Sequence, residues 1–224
     1  MTGELGFDPL DERFEGIGLL EGIPVEKHRA VLRCLHTTCC EMAVGESLLE
    51  GVPPQASRYL VSGVAVVQRL DEDGNRSILC VYKEGSVVAG ELPRGLFMQE
   101  DIDVIAAQPC LVLDFCINAD VEACPCCVKY INQVRGNVIR ALNSMSALLL
   151  SYMTVLSCRT IRDKIMAYLK LLAQQQGCRE FTLLFNRQEL ADFLQVNRSA
   201  LSRELSALRA EGVIDFNKSE FKLL

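Results

Sequence analysis

FNRQELADFLQVNRSALSRELSAL, residues Phe185–Leu208, reads as two short helices joined by a tight turn. Leu190, Phe193 and Leu194 are apolar at helical spacing on the first helix, and Gln195 and Val196 make the turn. Asn197 is a good N-cap, because its side-chain oxygen can accept from the free N–H groups of the next turn. Leu201, Leu205 and Leu208 then fall on one face of the second helix, at i, i+4 and i+7. Arg198, Ser199, Ser202 and Arg203 fall on the other, and within this helix no acid precedes Glu204. Such a face suits a DNA major groove, which admits one α-helix whose N-terminal residues reach base edges while its free N–H groups and hydroxyls meet phosphate. Arg203 carries the planar fork for a bidentate contact with guanine. Arg198 can do the same or bind phosphate, and the two serines are short enough to permit approach. The competing reading is the solvated face of an amphipathic helix in a small bundle; two arginines and two serines in the first turns favour DNA.

Beyond Glu211-Gly212, Val213–Phe216 and Phe221–Leu224 read as a two-stranded wing turned through Asn217-Lys218-Ser219, with Lys218 available to phosphate. Before the helix pair, Phe181–Phe185 reads as a short strand. Thr160–Gln176 reads as an amphipathic helix (Ile161, Ile165, Tyr168, Leu169, Leu172) closed by Gly177. Earlier still, Val128–Leu156 contains no proline and repeats apolar residues by threes and fours: Ile131, Val134, Val138, Leu142, Met145, Leu149, Tyr152 and Leu156. So long a stripe usually meets a copy of itself, and a helix-turn-helix commonly needs two copies to read two half-sites. The stripe from Ile131 to Tyr152 is therefore expected to be a dimer interface, against the alternative of a helix buried within one chain.

From about Thr38 to Phe115 the pattern changes to short runs rich in Val and Ile, punctuated by Gly, Pro and Asp: YLVSGVAVVQRL, RSILCVYKEG, SVVAGEL, VIAAQ and CLVLDF. Asp73-Gly74-Asn75 is a strong turn signal between two of them. Many short strands with such turns imply a sandwich or barrel. Phe14–Leu35 reads as helical with interruptions at Gly22 and Pro24, and Asn118–Cys127 as a junction.

The chain has 224 residues, half of them hydrophobic, and a net charge of −6. The charge is uneven: from Ser157 onward 11 Lys and Arg face 8 Asp and Glu, while residues 1–156 carry 12 against 21. A basic portion coinciding with the helix-turn-helix fits a DNA-reading module joined to an acidic domain with another task. The acidic N-terminus has no signal-peptide core and no uninterrupted apolar run is long enough for a membrane span, so a cytoplasmic protein without membrane contact is expected. An enzyme is disfavoured: Gly85–Gly95 lacks phosphate-loop spacing, and neither a Ser/His/Asp order nor a two-histidine metal motif occurs.

The order of acidic β-domain, long helix and winged helix-turn-helix, together with RQELADFLQVNRSALSRELSALRAEGVI, resembles the CRP/FNR family of bacterial transcription regulators. The resemblance covers nearly the whole chain and is strongest from Arg159 onward; RYLVSGVAVV, DEDGN and EGSVVAGEL resemble the family's sensor signature. It implies an α+β fold: an N-terminal double-stranded β-helix (a cyclic-nucleotide-binding-like β-roll) over 1–120, a long dimerisation helix over 121–157, and a winged helix-turn-helix over 158–224. It implies a homodimer whose β-roll binds a signal that reorients two recognition helices on a palindromic operator in double-stranded DNA, with RNA polymerase as a further partner. The base-contacting positions fall on Arg198, Ser199, Ser202 and Arg203, flanked by Asn197 and Lys218. Several members carry an acid at the position of Ser199, and the serine departs from that pattern.

Gly90-Glu91-Leu92 matches the stretch with which cyclic-nucleotide binders of the family hold ribose, and is the candidate effector pocket. The Arg-Ser or Arg-Ala pair that binds the cyclic phosphate is missing; Met98–Asp103 is acidic, which would cost several kcal/mol against a partly buried phosphate. Cyclic AMP is therefore not the expected signal, and no cofactor is assigned. The other candidate sensor is among the 11 cysteines, which in a cytosolic chain are not expected to form structural disulfides. Cys124-Pro125-Cys126-Cys127 has a C-x-x-C spacing that suits zinc, an iron–sulfur cluster or a redox pair, at the start of a helix that would lower a thiol pKa. Cys34 and Cys39-Cys40 come earlier, whereas Cys80, Cys110, Cys116, Cys158 and Cys178 read as packing residues.

Overall fold

The apolar run Tyr59–Leu70 is broken at Gly63, where the chain turns from one sheet into another. Gly63 has φ +98°, and a Cβ there would strike the Pro109 carbonyl and lie 2.8 Å from the Cα of Cys110, so the corner requires glycine. In the computed structural model, which describes residues 14, 16–53, 55–89, 101–118 and 127–224, the two halves become separate strands. The elements are α1 (Val25–Cys34), β1 (Thr38–Met42), β2 (Ser57–Ser62), β3 (Val64–Leu70), β4 (Arg76–Lys83), β5 (Val87–Ala89), β6 (Ile102–Ala106) and β7 (Cys110–Phe115). They continue with α2 (Val128–Leu156), α3 (Ile161–Gln176), β8 (Glu180–Thr182), α4 (Arg187–Leu194), α5 (Arg198–Ala210), β9 (Ile214–Asn217) and β10 (Glu220–Leu223). The chain divides into two compact units, one from the described residues up to Asp71 with Val81–Met145, the other from Glu72–Cys80 with Ser146–Leu224.

The first unit holds a four-stranded sheet in the order β1-β7-β2-β5 and the strands β3 and β6 of a three-stranded sheet ordered β4-β3-β6. Every residue of β7 is buried, Asp114 included. Asp114 stands directly across from Arg58 on β2, and the two form a bidentate pair with both contacts at 2.7 Å. Nη1 of the same guanidinium donates to the carbonyls of Leu48 and Glu50, tying the β1–β2 connection to the sheet. Cys39 and Cys40 lie on β1 opposite Leu113 and Val112, and Cys39 is buried.

Before α1, a 3₁₀ turn at Gly18–Leu20 is held to α2 by Asn137, whose amide donates to the carbonyls of Leu19 (3.0 Å) and Glu21 (2.9 Å). This buried polar side chain is thereby satisfied. Beside it, Ile131, Val134 and Val138 are 1%, 0% and 6% exposed and pack among Leu19, Leu32, Leu113 and Phe115. The expected dimer stripe needs correction here. These three residues belong to the chain's own core, and so does Tyr152, buried edge-to-face on Phe193 at 5.0 Å in the second unit. The large apolar residues exposed on α2 are Val128, Ile139, Leu142, Leu149, Leu150 and Met153. Threes and fours fit two stripes one residue apart, and the sequence pattern blended them. By length and composition alone α2 is apolar enough to cross a membrane, with a mean hydropathy of 1.3 in its best window. Counting uninterrupted apolar runs misses this, because Lys129, Arg135 and Arg140 punctuate the helix.

In the second unit Tyr152, Tyr168, Phe185 and Phe193 form one aromatic cluster, with Tyr168 and Phe193 centroids 4.9 Å apart. Burial pushes the phenols of Tyr152 and Tyr168 up. The wing has three strands in the order β8-β10-β9, where sequence suggested two: the short strand before the helix pair joins β10. The segment Glu72–Cys80 also belongs to this unit. Arg76 Nε donates to Asp192 on α4 at 3.0 Å, and Gln188 donates to the other oxygen of that carboxylate at 2.7 Å.

Candidate nucleic-acid interface

Local chemistry sets both helices of the reading head. Asn186 caps α4, accepting from Gln188 and Glu189 N–H, while the Glu189 carboxylate accepts from the Asn186 N–H, a reciprocal capping box. Gln195 ends α4 in the left-handed region at φ +54°, and Lys164 Nζ donates to the Leu194 carbonyl at 3.0 Å. Asn197 then caps α5, its Oδ1 accepting from the N–H and the hydroxyl of Ser199 at 2.9 and 2.6 Å. That oxygen is thus committed to the cap, and the Asn197 amide N–H₂ is the end of the side chain that can reach outward.

On α5, Leu201, Leu205 and Leu208 are buried, as their spacing predicts. Arg198, Ser199, Ser202, Arg203 and Ser206 are exposed on the opposite side. The first turn holds no acid, so its free N–H groups and two guanidinium side chains form an electropositive helix start. Glu204, the first acid of α5, accepts from Arg162 of α3 at 3.3 Å, and the same guanidinium binds Glu211 at the end of α5. The hydrogen bond from Arg162 holds the Glu211 carboxyl below its usual range. Sequence reading passed over Arg162, whose partners lie more than 40 positions away.

Lys218 is exposed at the wing tip in the left-handed region, φ +53°. Arg187, in the first turn of α4, lies over Phe216 and Phe221 with its Cζ 4.8 and 4.9 Å from the ring centroids, and donates to the Lys218 carbonyl at 3.2 Å. The motif containing Arg187 was read from sequence without a role for it. The signal available was the wing turn itself, which pairs Phe216 with Phe221 across the hairpin.

The remaining candidate sites are more dispersed. Gly90, Glu91 and Leu92, and likewise Cys124 and Cys126, lie outside the described residues. Cys127 is buried in the core beside Ile131. Burial pushes the Cys80 thiol up to about 12 and raises Cys110, and Cys116 is raised by burial and by Asp114. Thiols so shifted are poor nucleophiles and poor metal ligands, which fits their reading as packing residues. No cluster of three or more His, Cys, Asp or Glu suited to a metal ion occurs among the described residues.

Residues 163–224 match the Crp-like helix-turn-helix domain. No curated protein matches the chain. Among solved structures, the chain is similar to the c-di-GMP-responsive global regulator CLP of Xanthomonas campestris, with TM-score 0.64 and 17% identity over 86% of this chain and 96% of that one. A cyclic nucleotide-binding domain containing protein of Listeria monocytogenes gives 0.63 and 18% over 87% and 95%. A CRP-family transcriptional regulator of Thermus thermophilus gives 0.58 and 22% over 82% and 91%. Residues 163–224 are thus a Crp-like helix-turn-helix domain, and the chain shares the overall fold of these solved structures.

Proposed function

We infer that the chain acts as a cytoplasmic homodimer, not an enzyme, that binds a palindromic operator and answers to a signal other than cyclic AMP. The observation that carries this reading is the open face of α5: Arg198, Ser199, Ser202 and Arg203 exposed at an acid-free helix start, above a fully buried leucine face. Arg203 is assigned to base edges. Arg198, the serines and the Asn197 amide serve base edges or phosphate, and Lys218 serves phosphate. The division of labour is a sensor over 1–120, a dimerisation helix over 121–157 and a reading head over 158–224, with RNA polymerase as the partner that turns binding into regulation. A second copy is supported by the stripe Ile139, Leu142, Ser146, Leu149 and Met153, which alternates by threes and fours as a coiled-coil seam does, its apolar members being exposed in the single chain.

The test is operator selection from random duplexes, followed by titration of wild type and Arg203→Ala. A bidentate arginine–guanine contact discriminates by about 1–3 kcal/mol per half-site. Arg203→Ala is expected to weaken operator binding by that amount at each half-site while leaving nonspecific binding intact. Equal binding by both proteins would refute the recognition-helix assignment. Binding should also weaken steeply with salt through counterion release.

A further inference from the structure

We propose that Arg187 is a positioning residue of the reading head: it sets the wing so that Lys218 meets phosphate, and makes no phosphate contact itself. The inference rests on the DNA-binding reading above and deepens it.

Three observations converge on this side chain. First, Phe216 and Phe221 are direct cross-strand partners whose rings stack at 5.2 Å and 21°. One guanidinium covers both, at 4.8 and 4.9 Å, so a cation on α4 bridges the two strands of the wing. Second, the wing turn is held from outside. Lys218 takes a left-handed conformation that a side chain with a Cβ adopts at a cost, and no glycine is there to relieve it. Arg187 donates to the Lys218 carbonyl at 3.2 Å, and Leu183 N–H donates to the Ser219 carbonyl at 2.8 Å. Those two bonds orient the successive peptide groups that flank Ser219 and leave the exposed Lys218 ammonium as the outward cation of the turn. Third, Arg187 is withdrawn from solvent compared with Arg198 and Arg203. Burial also lowers its pKa, as expected of a guanidinium spent inside the protein. Phosphate would have to compete with two aromatic faces and a carbonyl for it.

The positions divide the work by chemistry. Arginine is needed at 187 because a flat guanidinium can lie over two rings and still present an N–H to a carbonyl, whereas lysine's compact ammonium cannot do both. At 218 a point charge on a flexible stem suffices.

The experiment measures the slope of log K against log salt on the selected operator for full-length wild type, Arg187→Ala, Arg187→Lys, Lys218→Ala and Arg187→Ala/Lys218→Ala. Each phosphate contact contributes about 0.9 to that slope. If Arg187 acts through Lys218, each single variant loses one contact per protomer, the double variant loses no more than one, and Arg187→Lys behaves like Arg187→Ala. If Arg187 itself binds phosphate, Arg187→Lys retains the slope and the double variant loses two contacts per protomer, which overturns the proposal. A wild-type slope in Arg187→Ala overturns it as well. A second readout needs no DNA: amide exchange at Lys218 and Ser219 should quicken in Arg187→Ala while α5 stays protected, and unchanged exchange there also refutes it. Loss of protection throughout α5 would mark a merely structural residue and count against the proposal. Failure of the wild type to bind any duplex sinks the DNA-binding reading instead, and is recognised before the variants are compared.

Discussion

Removing Asp114 should destabilise the β-sheet unit far more than a typical strand substitution. The Asp114 and Arg58 side chains are 5% and 2% exposed, and their two contacts at 2.7 Å join adjacent strands at one register position. In Asp114→Ala the guanidinium keeps its bonds to Leu48 and Glu50 but loses both acceptors on its other edge. Breaking a buried pair from one side leaves an uncompensated charge and costs about 3–5 kcal/mol. For a protein of this size that is a fall in melting temperature of roughly 10 °C. The measurement is urea unfolding followed by far-UV circular dichroism, with Arg58→Met/Asp114→Leu run beside it. Because the penalty comes from the stranded charge, the double variant should recover most of the loss. A loss in Asp114→Ala below about 1 kcal/mol, the level of a solvated surface pair, would rule out a buried, strongly coupled pair. A double variant as unstable as the single one would refute the charge argument specifically and point to packing.

Two other outcomes follow from burial and exposure. Leu149→Glu/Met153→Glu alters only exposed positions of α2, so helicity should be retained while sedimentation shifts from dimer to monomer; a dimer that persists would move the interface elsewhere. The Cys80 thiol, pushed up to about 12 by burial, and the raised Tyr152 and Tyr168 phenols all prefer the neutral form in the folded chain. Their contribution is complete below the unfolded pKa values, about 8.5 for Cys and 10 for Tyr, and is lost as pH rises toward the folded ones. The urea midpoint should therefore decline above about pH 9, and a flat profile to pH 12 would contradict it.

Much of the reading head was legible because its determinants are local. The cap at Asn197, the left-handed closure at Gly177 and the leucine face of α5 each depend on residues within about two turns of helix. A periodic pattern records such neighbours directly. What is close in space but remote in sequence left no comparable trace. Arg58 and Asp114 are 56 positions apart, Arg76 and Asp192 are 116 apart, and Arg162 reaches forward 42 positions to Glu204. In sequence each is an ordinary charged residue in a mixed stretch.

Helix α2 shows the same division within one element. Its length and apolar repeat follow from composition and the absence of proline, and are set by local sequence alone, like the strand-rich middle and the helix-turn-helix that follows. Which apolar stripe the chain covers with its own core is a matter of tertiary packing: Ile131, Val134 and Val138 turn inward, while Ile139, Leu149 and Met153 stay open. A helical repeat fixes angular spacing but not absolute rotation. Rotation is set by the strands and the 3₁₀ turn packed against the helix, as the Asn137 bonds to Leu19 and Glu21 illustrate.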